Sequence, residues 1–215
     1  MTLKTVLRAL AAMGVAMTLS ACALVEDNID ITYRSATPAV AVAGADAVTV
    51  RVTAEDARPS NRDKVSVKKN GYGMEMAAIR ANQDVPTVVR QAVETELESR
   101  GFRLGDGPVF VLIEVARFYA DYKTGFWSAD NVADIQLNVQ VRDAGGQMYY
   151  GKGISGVGTV EGVMLMEGGP VKQSIEIGLA VAIANLLKDP FFLQALMDAQ
   201  AANPPAPTPV ASPVS

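Results

Sequence analysis

The sequence predicts a single α+β domain, built as a mainly antiparallel sheet with helices packed on one face in two layers. Residues 48–53 and 133–141 alternate apolar and polar side chains with the period of two that is typical of a half-buried strand. Residues 85–97 instead space their apolar side chains along one face of a helix. The chain thus runs from strands to a helix, a meander of long strands and a final pair of helices, which is the order expected of an α+β domain.

The N-terminal residues have the features of an export signal. Lys4 and Arg8 supply positive charge, and residues 9–19 form an apolar stretch that is shorter than the roughly 20 residues of a membrane-spanning helix. The sequence Leu19-Ser20-Ala21-Cys22 follows and contains the only cysteine of the chain. It resembles the bacterial lipoprotein box, in which the chain is cut before the cysteine and the cysteine sulfur receives a diacylglycerol.

These residues predict a signal peptide over 1–21 and a lipid on Cys22, whose acyl chains would give stable anchoring without a transmembrane helix. The alternative is a signal peptide that is cut elsewhere and leaves Cys22 as an idle thiol. Ala23, rather than an aspartate, follows the cysteine. By the sorting rule of well-studied bacteria, this resembles an address for the outer membrane, facing the periplasm.

The composition excludes several classes of function. The 215 residues contain no histidine, and the single cysteine is expected to carry lipid. A Ser-His-Asp triad, a Cys-His pair and a histidine-based zinc site are therefore excluded within this chain. The formal charge of −4 disfavours nucleic acid as a partner, because nucleic acid requires clustered lysines and arginines. We expect no catalytic residues, no metal and no cofactor.

The segment after the cysteine, residues 22–46, is expected to be a lipidated tether in which 29–33 is a candidate short edge strand. The domain itself is expected over residues 47–198, with its second strand at 64–68. The sequence Lys69-Asn70-Gly71-Tyr72-Gly73 then predicts a tight turn. The alternative, a phosphate cradle, lacks the spacing of a P-loop or of a dinucleotide fingerprint.

The central part of the chain predicts one helix and one long strand. Asp84 is placed to cap a helix over 85–100, and Gly101 ends it. Residues 109–119 form a strand that is apolar on both faces, which indicates a central strand or one whose second face meets something. One side is predicted to carry Val109, Val111, Ile113 and Val115, and the other Phe110, Leu112 and Phe118.

The last third of the chain predicts two strands and two helices. Residues 133–141 form a strand with one dry and one wet face, and a hairpin leads into a strand at 148–160. Its glycines indicate bulges or close approach of another backbone: Gly151, Gly153, Gly156 and Gly158. Helices follow at 171–188 and after Asp189-Pro190. Residues 199–215 are expected to be a disordered Ala/Pro-rich tail, with a spacer through peptidoglycan or a ligand for a groove-type domain as alternatives.

Taken in order, these motifs resemble the YajG-like lipoprotein family of Gram-negative bacteria. The resemblance rests on the following segments: the Leu19 to Cys22 box, the Val48 strand, residues 68–73, the helix 85–100 with Gly101-Phe102, the strand 109–119 with Tyr119-Ala120-Asp121, and the late helical pair. It covers most of residues 22–200 and leaves out the proline-rich tail. The resemblance implies an envelope location and this fold, and it brings no established activity and no assigned catalytic residues.

An aromatic cluster between two predicted strands is the candidate binding surface. Tyr119, Tyr122, Phe126 and Trp127 are interleaved with charged residues at an expected hairpin tip. Exposed aromatic side chains with polar neighbours stack on glycan rings or anchor a protein partner. The alternative hypothesis assigns Phe118 and Tyr119 to the core, while Phe126 and Trp127 lie down on the sheet or touch lipid headgroups.

The expected function is that of a lipid-anchored, non-enzymatic periplasmic domain, an accessory or scaffold that binds another envelope protein. The alternative is a peptidoglycan- or glycan-binding module that uses the aromatic hairpin. A third hypothesis is an enzyme that works with carboxylates alone. Its candidates are Asp121, Asp130 and Glu114, which no motif supports.

Overall fold

The computed structural model describes residues 25–70, 72–124, 129–164 and 167–203. The predicted signal peptide, Cys22, Phe126, Trp127 and the tail beyond residue 203 lie outside the described residues. The strands are β1 Asp27–Ile29, β2 Thr49–Asp56, β3 Ser66–Lys69, β4 Glu75–Ala81, β5 Arg103–Leu104, β6 Val109–Thr124, β7 Ala129–Asp143 and β8 Met148–Val163. The helices are α1 Val85–Ser99, α2 Gly168–Lys188 and α3 Pro190–Ala201, with a 3₁₀ turn at Ala45–Ala47.

The described part of the chain forms two sheets. The larger sheet has the order β5-β2-β6-β7-β8, and β6, β7 and β8 are an antiparallel meander. The smaller sheet has the order β1-β4-β3. It joins the larger one where the N–H of Ala120 donates to the carbonyl of Val65 at 2.9 Å. The prediction of a single α+β domain is confirmed, although the sequence did not indicate that β2 runs parallel to both β5 and β6.

One face of the larger sheet carries the hydrophobic core. Every second residue of β7 from Ala129 to Val141 is buried, and over residues 133–141 this confirms the predicted alternation. The buried side chains of this face and of α1, α2 and α3 form one continuous cluster. On the opposite face, Gln136 and Asn138 are exposed. The three helices of the described residues therefore cover one face of the sheet and leave the other to solvent.

The helix ends follow the predicted capping chemistry. The Asp84 carboxylate accepts a hydrogen bond from the N–H of Thr87 at 3.1 Å, and Pro86 occupies the first turn of α1. Gly101 follows the helix with a φ of +96°, a conformation that glycine adopts without strain. Asp189 caps α3 in the same way, accepting from the N–H of Phe191 at 3.1 Å. These caps separate α2 from α3 and end α1 where the sequence indicated.

A bulge in β6 corrects the predicted orientation of Phe118. Val115 pairs with Leu137, but Arg117 pairs with Gln136, so β6 has one residue more than β7 at this point. Beyond an extra residue the alternation of a strand changes phase. Phe118 therefore points into the core, fully buried, and not to the same side as Phe110 and Leu112.

The segment 22–46, predicted to be a tether, belongs to the folded body from Asp27 onward. β1 pairs in parallel with β4, and the side chains of Ile29 and Ile31 are buried in the core. The boundary at residue 46 is thus corrected, because two buried isoleucines gain several kcal/mol, about 1.5 to 3 each, over an exposed tether. The segment that connects the predicted lipidation site to β1 therefore comprises only residues 22–26.

A buried ion pair holds this N-terminal segment on α1. Glu96 and Arg100 are both buried and form a direct ion pair, and the hydroxyl of Tyr33 donates to Glu96 Oε1 at 2.6 Å. Burial alone would raise the pKa of the Glu96 carboxyl. Hydrogen bonds from Ser35, Tyr33 and Arg100 outweigh this effect and hold the pKa below its ordinary value of 4.5.

We expect Glu96 to make the stability of the protein depend on acid. Because its pKa is lower in the folded state, its contribution is complete above about pH 4.5 and is lost as pH falls through the folded-state pKa. Glu96→Gln should lower the free energy of unfolding at pH 7 and weaken its dependence on pH below 4.5. Urea unfolding between pH 7 and pH 3 measures both effects. A variant with the same pH slope as the native protein would contradict this prediction.

The C-terminal boundary also moves. Helix α3 continues to Ala201, with Ala199 buried and the Gln200 side chain accepting a hydrogen bond from the N–H of Thr49 at 3.1 Å. The prediction that the disordered tail begins at residue 199 is therefore corrected, because residues 199–201 belong to α3 and Gln200 contacts β2. The rest of the tail stays a prediction.

Two glycines of β8 let α2 approach the sheet closely. A side-chain carbon on Gly158 would lie less than 3.0 Å from the carbonyl oxygen of Ser174, and one on Gly156 equally close to the carbonyl oxygen of Gly178. Close backbone approach, predicted for the glycine-rich strand, is confirmed at these two positions. Gly153 instead faces open solvent, with Asn138 Oδ1 3.7 Å away as the nearest atom to such a carbon.

Candidate functional site

The open face of the larger sheet is polar, with a half-buried apolar pair in its middle. β6 contributes Phe110 and Leu112, which lie beside the polar row of β7. The guanidinium carbon of Arg51 lies 5.2 Å from the centre of the Phe110 ring, a cation–π arrangement that covers one end of the pair. Leu112 is left as the apolar centre of this face. The predicted second apolar face of β6 is thus present, although without Phe118.

A depression of about 230 Å³ lies over Leu112. Its walls come from three adjacent strands of the larger sheet: Thr53, Ala54 and Glu55 of β2, Ile113 and Glu114 of β6, and Gln140 of β7. Glu55 and Glu114 are directly paired in the register of β2 and β6, and the Asn138 amide donates to Glu114 Oε2 at 3.2 Å. An apolar floor beside two carboxylates suits a long basic side chain, whose methylene groups pack on leucine while its charge meets the carboxylates.

The depression was not predicted from the sequence. Glu55 and Glu114 are far apart in the chain, and they meet because β2 pairs with β6 in parallel. No local pattern indicates this pairing, since a parallel pair requires a long crossover connection. The apolar second face of β6 was the one available signal, and it indicated the face but not the depression.

The two tyrosines of the predicted aromatic surface lie on opposite faces of β6. Tyr119 is half-buried on the open face, and burial raises its pKa to about 12, with the charges of Asp121 and Glu75 adding to the shift. Tyr122 is only 5% exposed, and its hydroxyl donates to the Glu167 carbonyl at 2.9 Å. A common stacking surface for both tyrosines is therefore ruled out, because residues three apart in a regular strand point to opposite sides.

The other predicted site residues take different places. Phe126, Trp127 and Cys22 lie outside the described residues, so their predicted roles stay predictions. Asp121 forms an ion pair with Lys69 at 2.6 Å, and Asp130 accepts from the N–H of Gly162 at 3.2 Å.

The three carboxylates of the enzyme hypothesis do not converge on one point. Asp121 pairs with Val132 and Glu114 with Asn138, so six residues of β7 separate them. At about 3.3 Å per residue this distance is roughly 20 Å. Among the described residues, no group of three or more Asp, Glu, His or Cys side chains is arranged to hold a metal ion.

None of the helices in the described ranges is by itself long and apolar enough to cross a bilayer. The pair α2 and α3 passes the criteria of length and composition only when taken together, with a bend of 61° between them. Both helices have buried faces within the core cluster of the domain.

Comparisons with known proteins agree with the fold and identify the family. A family model described as an uncharacterised lipoprotein matches residues 35–197. No curated protein sequence matches the chain significantly. The structure is similar to that of a Xanthomonas campestris protein, with a TM-score of 0.59 and 15% identity over 80% of this chain and 99% of that chain. It is also similar to a candidate lipoprotein of Caulobacter crescentus, with a TM-score of 0.44 and 11% identity over 75% of this chain and 96% of that chain.

At 15% identity the likeness to the Xanthomonas campestris protein concerns the fold alone. The family match spans most of the chain and includes the strands that form the depression. It also agrees with the YajG-like resemblance that the order of motifs indicated. From this match we conclude that the chain belongs to this family of uncharacterised lipoproteins.

Proposed function

We propose that this lipoprotein is a non-enzymatic accessory or scaffold domain of the cell envelope, anchored by a lipid on Cys22 in the outer membrane and facing the periplasm. It binds another envelope protein through the open face of the larger sheet. The observation that carries this proposal is the depression over Leu112, an apolar centre surrounded by polar and charged side chains. Protein interfaces combine an apolar centre with a polar rim in this way.

The chemistry of the depression supports a protein partner with a basic side chain. Glu55 and Glu114 offer carboxylate oxygens around Leu112, whereas Gln140 Oε1 already accepts two hydrogen bonds from Arg142, at 3.1 and 2.9 Å. A lysine or arginine inserted here would be held by charge-assisted hydrogen bonds and would pack its methylene groups on the leucine. Arg51 lies beside Phe110 and is itself paired with Asp106 at 2.7 Å, so it does not fill this role.

Leu112→Gln should remove the apolar centre of the depression while keeping a side chain of similar length. We expect capture of the partner to fall by about tenfold or more, as for truncation of a central interface residue. The measurement is photocrosslinking in cells, with the full-length protein carrying a photoreactive amino acid at Gln140. The adduct formed in the native background should be lost in the Leu112→Gln background.

Val157→Gln is the matched control, since Val157 is an exposed apolar residue of the same face that pairs with Asp134, six residues of β7 or roughly 20 Å from Gln140 and outside the depression. This variant should keep the adduct, and both variants should melt within about 4 °C of the native protein. An adduct of equal strength in all three backgrounds would contradict the proposal. Sedimentation of native protein and Leu112→Gln alike with purified peptidoglycan would favour the glycan-binding alternative.

A further inference from the structure

Four exposed apolar side chains lie at the end of the molecule where the described chain begins. Val25 is 60% exposed, Tyr72 91%, Met74 58% and Met164 82%. They come from three separate segments: the N-terminal residues, the turn between β3 and β4, and the residues that follow β8. We call this group the anchor end.

One residue joins the three segments. Asp27 Oδ1 accepts from Lys68 Nζ at 2.9 Å, and Asp27 Oδ2 accepts from the N–H of Gly168 at 2.8 Å. Lys68 precedes the turn that carries Tyr72 and Met74, and Gly168 begins the helix that follows Met164. The first described residues, the β3–β4 turn and the end of β8 are therefore neighbours.

Hydrogen bonds hold the described residues of the β3–β4 turn, although its large side chains point to solvent. The Asn70 side-chain oxygen accepts hydrogen bonds from the N–H groups of Tyr72 and Met74, both at 3.0 Å. The N–H of Asn70 donates to the carbonyl of Met74 at 3.0 Å, and Gly73 adopts a φ of +80°. The sequence prediction of a turn here is confirmed. Its hydrogen bonds hold Tyr72 and Met74 outward without any core contact that would require them to be apolar.

The short N-terminal stretch brings this end close to the predicted lipid. Cys22 stands five residues before Asp27, and a fully extended chain of that length spans at most about 17 Å. Because β1 is part of the smaller sheet, only residues 22–26 connect the folded domain to the lipid. This connection is too short to let the domain move far from the bilayer. A lipid on Cys22 would therefore hold Val25, Tyr72, Met74 and Met164 next to the bilayer.

We propose that the anchor end lies on the bilayer surface, with its four apolar side chains in the headgroup region; the proposal rests on the lipid anchor of the proposed function. Tyrosine suits this region because its ring is apolar and its hydroxyl polar, and methionine adapts to irregular apolar surroundings. The strands of the larger sheet then rise from the membrane. Gln140 lies eleven residues along β7 from Ala129, so the depression stands about 36 Å from the anchored end.

The docking is apolar rather than electrostatic. The lysines nearest the turn are paired with carboxylates: Lys64 with Glu75 at 3.1 Å and Lys69 with Asp121 at 2.6 Å, in addition to Lys68 with Asp27. Lys123, exposed near the end of β6, stands opposite the carboxylate residue Asp130 in the register of β7. Pairing cancels the charge that would attract anionic lipid. We therefore expect the same docking on phosphatidylcholine vesicles with or without phosphatidylglycerol.

The test places an environment-sensitive fluorophore on full-length acylated protein reconstituted in such vesicles. Cys22 is the only native cysteine and is blocked by its lipid, so Tyr72→Cys, Met164→Cys and Phe191→Cys each give one labelled site. Phe191 is an exposed control at the far end, where its neighbour Asp189 contacts Tyr150 and Lys152. Quencher-bearing lipids should quench labels at 72 and 164 and not at 191.

The label at 72 gives a second comparison. Met74→Ser combined with Met164→Ser should abolish its quenching while flotation with the vesicles persists, whereas the matched Val157→Ser should leave the quenching unchanged. Equal quenching of the labels at 72, 164 and 191 in protein that floats with the vesicles would contradict the docking proposal but not the lipid anchor. Quenching that requires phosphatidylglycerol would contradict the docking proposal in the same way. Protein that does not float and takes label on Cys22 would overturn the anchor, and the docking with it.

Discussion

Gly158→Ala is expected to destabilise the protein by about 3 kcal/mol, the upper part of the range for overpacking a tight contact. The added methyl carbon would lie within 3.0 Å of the Ser174 carbonyl oxygen and of the Gly178 N–H, both of which are helix backbone. Backbone cannot rotate away as a side chain does, so α2 must shift from the sheet. For a domain of this size the melting temperature should fall by about 6 to 12 °C.

Gly153→Ala is the matched control for this effect. It lies on the same strand, but its added carbon meets Asn138 Oδ1 only at 3.7 Å, an ordinary contact. Its stability should change by less than about 0.5 kcal/mol. Thermal and urea unfolding followed by circular dichroism measure both variants. If Gly158→Ala melted like Gly153→Ala, the close packing of α2 on β8 would be refuted.

Arg58→Ala is expected to destabilise the protein by about 3 to 5 kcal/mol, as for the loss of one partner of a buried ion pair. Arg58 is 3% exposed, and its guanidinium forms two hydrogen bonds with the Asp56 carboxylate, at 2.8 and 2.6 Å. It also donates to the carbonyl oxygens of Arg62 at 2.8 Å and Asn61 at 3.1 Å. Alanine would leave these acceptors without their donor.

The Arg58 contacts hold together the loop between β2 and β3, so hydrogen exchange in residues 57–65 should accelerate in the same variant. Arg117→Ala is the control, because Arg117 forms an exposed ion pair with Asp134 at 2.9 Å. Such pairs contribute about 0 to 1 kcal/mol. Urea unfolding compares the two variants. If Arg58→Ala lowered the free energy of unfolding no more than Arg117→Ala does, the loop would have to be stabilised by other contacts.

The sequence predictions were wrong where the structure depends on a feature that has no local signal in the chain. Phe118 was assigned from the regular alternation of β6, but the extra residue between Val115 and Arg117 reverses the phase of the strand. The bulge has no sequence signal of its own here, since Ala116 is an ordinary strand residue. The tether was predicted because residues 22–46 contain few patterned side chains, and the candidate edge strand at 29–33 did not indicate that Ile29 and Ile31 are buried in the core.

The candidate site shows the same limit. The apolar second face of β6 was visible in the alternation of residues 109–119, and it indicated a surface that meets something. Predicting the depression would have required placing Glu55 beside Glu114. This pairing depends on a crossover of about fifty residues between β2 and β6, which local patterns do not reveal.

Local sequence was enough to predict the helices, the caps of α1 and α3, the alternating strands, the turn at Asn70 and the lipoprotein box, because each depends on residues that are neighbours in the chain. The face that Phe118 joins, the parallel pairing of β2 with β6, and the shared end of Val25, Tyr72 and Met164 became visible only in the folded molecule. These features arise from contacts between distant segments, whose geometry is chosen by the packing of the whole core and not by local propensity.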